Sequence, residues 1–347
     1  FQYLHNDIDG KPYAAPSEMS MALVRAAQKT GIGLTLLPTL YMRSGFTTTG
    51  LRPDQRRFAS TPDSLMRVIE DVQRQTADNS RANNLRISCG VAIHSLRAVS
   101  PAAMLDLASG AEQTGLPVHI HIAEQTQEVA DCINHTGQRP IEWLLEHAAV
   151  DARWNLVHAT HTTSAELQGV QRRGASIVIC PATEANLGDG VFDLPGYAAA
   201  GGNWSIGSDS HVTRAWPEEL RLLEYSQRLT LRQRNIAAHV LGHESSASGL
   251  FEAALAGGAA ASGQSTGGLK VGQRADFVTL DMNSPSLLGL PAGYLLDAVV
   301  FSSPAAVFGE VFVAGERIAS RSAAAAAGAD VPGQFSQAMR ALWTGSA

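Results

Sequence analysis

The stretch Val118-His119-Ile120-His121-Ile122-Ala123-Glu124 decides how this chain is read. Its apolar residues alternate with histidines, which is the two-residue period of a buried strand carrying His119 and His121 on one face. Glu124 follows where such a strand should end. Two neutral imidazoles beside a carboxylate are the parts of a metal site with an adjacent proton carrier, a group that splits bonds with water. Alone, the run also suits two core histidines satisfied by their neighbours. The other strand ends must therefore decide.

On both sides of this run, strand-like and helix-like segments alternate. Apolar runs at 32–39, 86–94, 154–159, 176–180 and 204–207 read as further strands, and residues 1–4 read as the tail of another. Helix-period patterns lie between them at 17–30, 61–75, 101–114, 139–148, 164–173 and 194–200. Pro16-Ser17, Thr61-Pro62, Ser100-Pro101 and Thr163-Ser164 start helices, and Gly31, Gly115 and Gly174 stop them. Strands alternating with helices imply parallel βαβ units. A doubly wound sheet would satisfy that alone. However, polar residues recur at several strand ends (His94, His121 with Glu124, His158, Asp209), and such convergence favours a barrel rim.

The pattern changes after about residue 263. Gly267–Asp276 is turn-rich, and short strands are expected at 277–280, 298–301 and 310–313, with Ala314-Gly315-Glu316 as a hairpin turn. The division predicted is a catalytic barrel over 1–264, a small β unit over 265–320 and an Ala-rich helical tail over 321–347.

Composition narrows the function classes. A 347-residue chain that is 45% hydrophobic can bury a large core, and its net charge of −6 with no basic stripe argues against nucleic acid. No apolar stretch reaches the roughly 18 residues a membrane helix needs. The three cysteines, Cys89, Cys132 and Cys180, lack metal-type spacing. Cys89 and Cys180 fall in apolar runs as small core residues, which suits a reducing cytoplasm. Phosphate-binding glycine motifs are absent.

Each candidate has a plainer alternative. Arg97, in His94-Ser95-Leu96-Arg97, is placed to grip a carboxylate by paired charge-assisted bonds, or to form a surface salt bridge. His158 closes Leu156-Val157-His158 as a rim imidazole, catalytic or simply hydrogen-bonded. Asp209 after 204–207 suits a metal ligand and proton acceptor, or a cap. Thr183–Gly190 reads as a polar loop that lines a pocket or only turns the chain, and His161 reads as solvated.

These residues resemble the amidohydrolase superfamily, in its aminohydrolase branch with a His-x-x-Glu strand end. The matching runs are Tyr3–Tyr13, Gly31–Tyr41, His94–Val99, Val118–Gln125, Leu156–His161, Ser205–His211 and Leu269–Asp281, so the likeness covers the chain to about residue 320. His94-x-x-Arg97 with Thr183–Gly190 sets the subgroup that deiminates N-formimidoyl-L-glutamate apart from guanine deaminases and chlorohydrolases. The resemblance implies an α/β fold, a (β/α)8 TIM-like barrel carrying a small β-sandwich, and one divalent metal ion, usually zinc. It implies His121 and Asp209 as metal ligands, Glu124, His158 and Asp209 as catalytic groups, and His94, Arg97 and Tyr3 as substrate contacts. His119 is a lesser candidate.

One departure matters. The family carries a further His-x-His pair on its first strand, and none precedes His119 here. The expectation is therefore an amino-terminally truncated barrel lacking its first strand and part of its β-sandwich, with impaired metal retention and activity. The implied reaction gives N-formyl-L-glutamate and ammonia, as in histidine degradation. The rivals are a deaminase of another amidine or guanidino acid, and an inactive carboxylate-binding barrel. A small-molecule substrate, no nucleic acid, no membrane and the homodimer common in the family complete the expectation.

Overall fold

The structure is a computed structural model, and it describes residues 1–77, 86–303, 307–320 and 331–343. Six parallel strands run in the order β2 (Thr39–Leu40), β4 (Val91–Ile93), β5 (Val118–Ile122), β6 (Trp154–His158), β7 (Ser176–Ile179) and β8 (Asn203–Ile206). Strands β1 (Leu34–Leu36) and β3 (Ile87–Cys89) pair in parallel just below β2 and β4. Each is the first half of a run that the sequence presents as continuous. Pro38 interrupts one, because it has no N–H for the ladder. Gly90 interrupts the other, where a Cβ would lie 2.7 Å from the Leu37 side chain and 2.8 Å from the Pro117 carbonyl. Gln2 bridges Pro38 in parallel, so residues 1–4 lie along this edge like the end of another strand.

Helices cover the outer face. Pro101–Thr114 begins where the Ser100 side chain accepts the Ala103 N–H and ends at Gly115 in the left-handed region. Ser164–Arg172 carries a Thr163/Glu166 capping box. Leu65, Val68, Ile69 and Val72 of Pro62–Ala77 join the core that holds Ile93, Ile120 and Ile122. Burial of each such side chain is worth about 1.5–3 kcal/mol. All five residues of β5 are buried, so both its faces are covered.

The sheet curls. Strands β5 and β8 are three places apart, about 14 Å in a flat sheet, yet His121 Nε2 lies 3.8 Å from Asp209 Oδ1 just beyond β8. Residues from opposite edges, Thr35 of β1 and Ser205 of β8, line one cavity of about 420 Å³. Strand ends thus converge on the interior, as expected of a TIM-like α/β fold.

Helices Thr126–Thr136, Trp216–Leu231, Ile236–Leu241 and Ser246–Ser262 also pack around the sheet. The appendage is an antiparallel sheet of β9 (Phe277–Leu280), β10 (Phe308–Val313) and β11 (Glu316–Ser320), with the expected turn at Ala314-Gly315. Buried Arg86 fastens it to the barrel, donating to the Val313 carbonyl at 3.0 Å and to Glu316 at 2.7 Å. One strand expectation fails. Residues 298–301 form a π-helical turn, Ala298–Ser302, because Ala298 and Val299 pack beside Leu287 and Val307 rather than pairing with a strand. Of the tail, Val331–Trp343 is helical, and residues 321–330 and 344–347 lie outside the described residues. Among the described residues, no helix is long and apolar enough to cross a membrane.

Candidate active site

The ends of β4, β5, β6 and β8 deliver the predicted side chains His94, His121 with Glu124, His158 and Asp209 in turn. His121 directs Nδ1–H to the His94 carbonyl at 2.8 Å, which leaves the Nε2 lone pair facing Asp209. His158, fully buried, lies with Nε2 3.7 Å from Glu124 Oε1 and 3.8 Å from Asp209 Oδ2. That nitrogen has no hydrogen-bond partner. The His121 and His158 rings stack with centroids 5.6 Å apart, and His94 lies 5.5 Å from His121 on the other side.

The backbone here is strained. Ala123, His158, Ala159, Asp209 and His211 all have φ between +41° and +71°. Left-handed conformations of non-glycine residues cost about 1–3 kcal/mol each and persist only where surroundings enforce them. Buried carboxylates do so. Glu128 accepts the Ala123 and Glu124 N–H groups at 3.2 and 2.9 Å, fixing the turn that aims Glu124. Thr183 Oγ1 donates to the Ser208 carbonyl and meets Ser210, holding the turn around Asp209.

Electrostatics separate the groups. Burial, with the Arg97 charge behind it, pushes His94 down to about 3. His121 is also driven well below the ordinary imidazole value by burial and by His94 and His158. Burial alone would lower His158 too, but its bond to Glu184 and the charges of Glu124, Glu184 and Asp209 together raise it. Glu124 is raised by burial and by Asp189, Glu128 and Asp209, against an opposing pull from His158.

Tyr3 packs its ring 5.9 Å from His94, and its hydroxyl titrates higher because of burial and the charges of Asp209 and Glu124. Arg97 is half-buried in the turn Leu96–Ala98; its side chain has no hydrogen-bond or ion-pair partner among the described residues. Its carbonyl accepts Arg43 Nε–H at 3.0 Å. His119 lies nearby but bonds the Ala261 carbonyl at 2.8 Å, which ties β5 to the end of Ser246–Ser262.

Two expectations change. The first part of 183–190 is not a loop but the end of helix Pro181–Leu187, with Pro181 at its first position. Within it Glu184, 3% exposed, accepts from His158 Nδ1 at 3.2 Å and from the Cys180 N–H at 2.8 Å. His161 is not simply solvated, since its Nε2 is buried without a partner. Glu128 and Glu184 were not singled out from the sequence. The available signal was a Glu four residues after each strand-end position, Glu124 and Cys180.

Residues 14–318 match the amidohydrolase family. The chain belongs to that family. This amidohydrolase is 46% identical over 320 residues to formimidoylglutamate deiminase of Pseudomonas aeruginosa, covering 91% of this chain and 68% of that protein. Its fold superposes on the crystal structure of an amidohydrolase from Brucella melitensis with a TM-score of 0.85 and 43% identity, over 92% of this chain and 70% of that one. An adenosine deaminase from Xanthomonas campestris, solved with bound zinc, shares the fold with a TM-score of 0.70 and 24% identity, over 88% of this chain and 64% of that one.

Members of the amidohydrolase family bind a divalent metal. The separation of His121 Nε2 from Asp209 Oδ1, 3.8 Å, is too long for a hydrogen bond. It suits two atoms that each approach one ion at about 2.0–2.2 Å. The neutral, Nδ1-anchored His121 is also the form that ligates metal. Among the described residues, no group of three or more His, Cys, Asp or Glu is arranged to hold an ion. Of the residues expected to hold an ion, His121 and Asp209 lie close enough together to share one.

Proposed function

We propose that this amidohydrolase deiminates N-formimidoyl-L-glutamate hydrolytically, releasing ammonia and N-formyl-L-glutamate. The observation that carries the reading is that Glu124 and Asp209 both face His158 Nε2, at 3.7 and 3.8 Å, with Arg97, which has no side-chain partner among the described residues, three residues after His94. The 46% identity to a formimidoylglutamate deiminase supports the substrate class.

The sites divide into grip and chemistry. Arg97 and His94 would hold a carboxylate of the glutamyl portion, with the Tyr3 hydroxyl as a further contact, so that the formimidoyl carbon lies over the three acid–base groups. A divalent ion, probed first as zinc, would supply a water made acidic enough to lose a proton near neutrality. Asp209 would take that proton, and His158 would steady the attacking oxygen through Nε2. Glu124, whose raised titration keeps its proton available nearer neutral pH, would protonate the imine nitrogen. The tetrahedral centre then loses ammonia rather than water: Asp209 would return its proton to the departing nitrogen, and Glu124 would take the hydroxyl proton as the formyl carbonyl forms.

The test is ammonia release from N-formimidoyl-L-glutamate beside N-formimidoyl-L-aspartate and a guanidino acid, with zinc supplied. Preference for the first supports the reading. Preference for another acid assigns the chain a different amidine, and no release from any of them with zinc bound overturns the proposal.

A further inference from the structure

We infer that Glu184 is a positioning residue for the reaction, fixing which face and which nitrogen of His158 the site receives. The inference rests on the hydrolytic role proposed for His158. His158 sits in the left-handed region, φ +71°, so its backbone does not by itself hold the ring where a strand residue would carry it. The ring has two polar atoms. One, Nδ1, lies 3.2 Å from Glu184 Oε1, and the other, Nε2, has no partner and faces Glu124 and Asp209 at 3.7 and 3.8 Å. A carboxylate can only accept, so Nδ1 must carry the hydrogen and the neutral ring must present a lone pair at Nε2. A ring flip would set carbon against the buried carboxylate, which forfeits that bond.

Glu184 is itself anchored. The same Oε1 accepts the Cys180 N–H at 2.8 Å, at the foot of helix Pro181–Leu187. Cys180 directly follows β7, so the hydrogen bonds link the end of β7 to the end of β6 through one oxygen atom. A carboxylate serving only as a helix cap would need the Cys180 bond and not the imidazole. The geometry shows both.

The experiment compares Glu184→Ala with Glu184→Gln in the full chain. Nitrogen-15 long-range NMR at alkaline pH reports which His158 nitrogen carries the hydrogen, with no dependence on turnover. Gln must keep its amide oxygen toward the Cys180 N–H, so Glu184→Gln should retain the Nδ1–H form, whereas Glu184→Ala should lose it. Ammonia release should fall about 10- to 100-fold in kcat for Glu184→Ala with KM within about twofold, and much less for Glu184→Gln. An unchanged Nδ1–H form in folded Glu184→Ala would overturn the inference. So would a Glu184→Gln ring that presents Nε2–H. If no protein releases ammonia, the proposed reaction fails, while the NMR result still decides the role of Glu184.

Discussion

Replacing Arg97 with Met separates substrate grip from structure more cleanly than any other change in the site. The Arg97 side chain has no hydrogen-bond or ion-pair partner among the described residues, and the Arg43 bonds nearby go to backbone carbonyls of Leu96 and Arg97, which the substitution keeps. Methionine preserves much of the aliphatic stem, so stability should change by no more than about 0.5 kcal/mol. A bidentate guanidinium–carboxylate contact involves two charged hydrogen bonds of about 1.5–3 kcal/mol each. Arg97 is only half-buried, so water recovers part of that, and a net loss of about 2–4 kcal/mol follows. This corresponds to roughly 30- to 1000-fold weaker binding. Calorimetric titration of N-formyl-L-glutamate, the product, measures it without turnover. Two further ligands, each lacking one carboxylate, complete the design. The loss should disappear for the ligand missing the carboxylate that Arg97 holds, and Arg97→Lys should recover only part of it, because an ammonium is a point charge and not a fork. An equal loss for all three ligands would refute the reasoning, since Arg97 would then act as a general field.

Other outcomes follow from the same geometry. Glu124→Gln should lower ammonia release by about 10²- to 10⁴-fold with little change in melting temperature, and turnover at the parent rate removes Glu124 as the proton donor. Zinc should be retained at well under one ion per chain after dialysis and should fall further in His121→Ala, because among the described residues no group of three or more ligands is arranged around an ion and the proposed pair is His121 and Asp209; one tightly held ion per chain, by elemental analysis, contradicts that. Burial raises the Glu219 carboxyl to about 7, so the folded state keeps a proton that the unfolded state releases above about 4.5. Its contribution is therefore fully present below about pH 4.5 and is lost as pH rises through about 7. Melting curves across that window should flatten in Glu219→Gln, and an identical slope in both proteins would count against the shift.

The strands and their terminal residues were legible because they follow rules that act within a few positions. The alternation in 118–122 places His119 and His121 on one face, and the structure buries all five residues. Helix 101–114 begins and ends where Ser100, Pro101 and Gly115 require. What the period could not show is which of the two histidines faces which partner. His119 is taken by the Ala261 carbonyl, a contact 142 residues away, while His121 is anchored on His94 and left open toward Asp209. Similarly, 298–301 is β-branched and aromatic enough for a strand, but packing against Leu287 and Val307 selects a helical turn.

The carboxylates that hold the site were harder to see, and the reason is physical. Glu128 and Glu184 each reach back about one helical turn to a strand-end N–H, as a capping-box glutamate reaches its N-cap. A search for helix starts would find Pro181 with Glu184, yet it would classify the glutamate as a cap and stop there. The difference lies in cost. An ordinary cap sits at the surface, whereas Glu128 and Glu184 are 4% and 3% exposed, and a carboxylate taken out of water needs more than one backbone bond to offset its desolvation. Glu128 finds a second N–H, and Glu184 finds His158. Beside them, Ala123, His158 and Asp209 hold backbone conformations that would otherwise relax. Buried carboxylates next to strained strand ends are therefore the signature that separates this rim from a stable barrel edge, and both halves of that signature depend on contacts that no local pattern encodes.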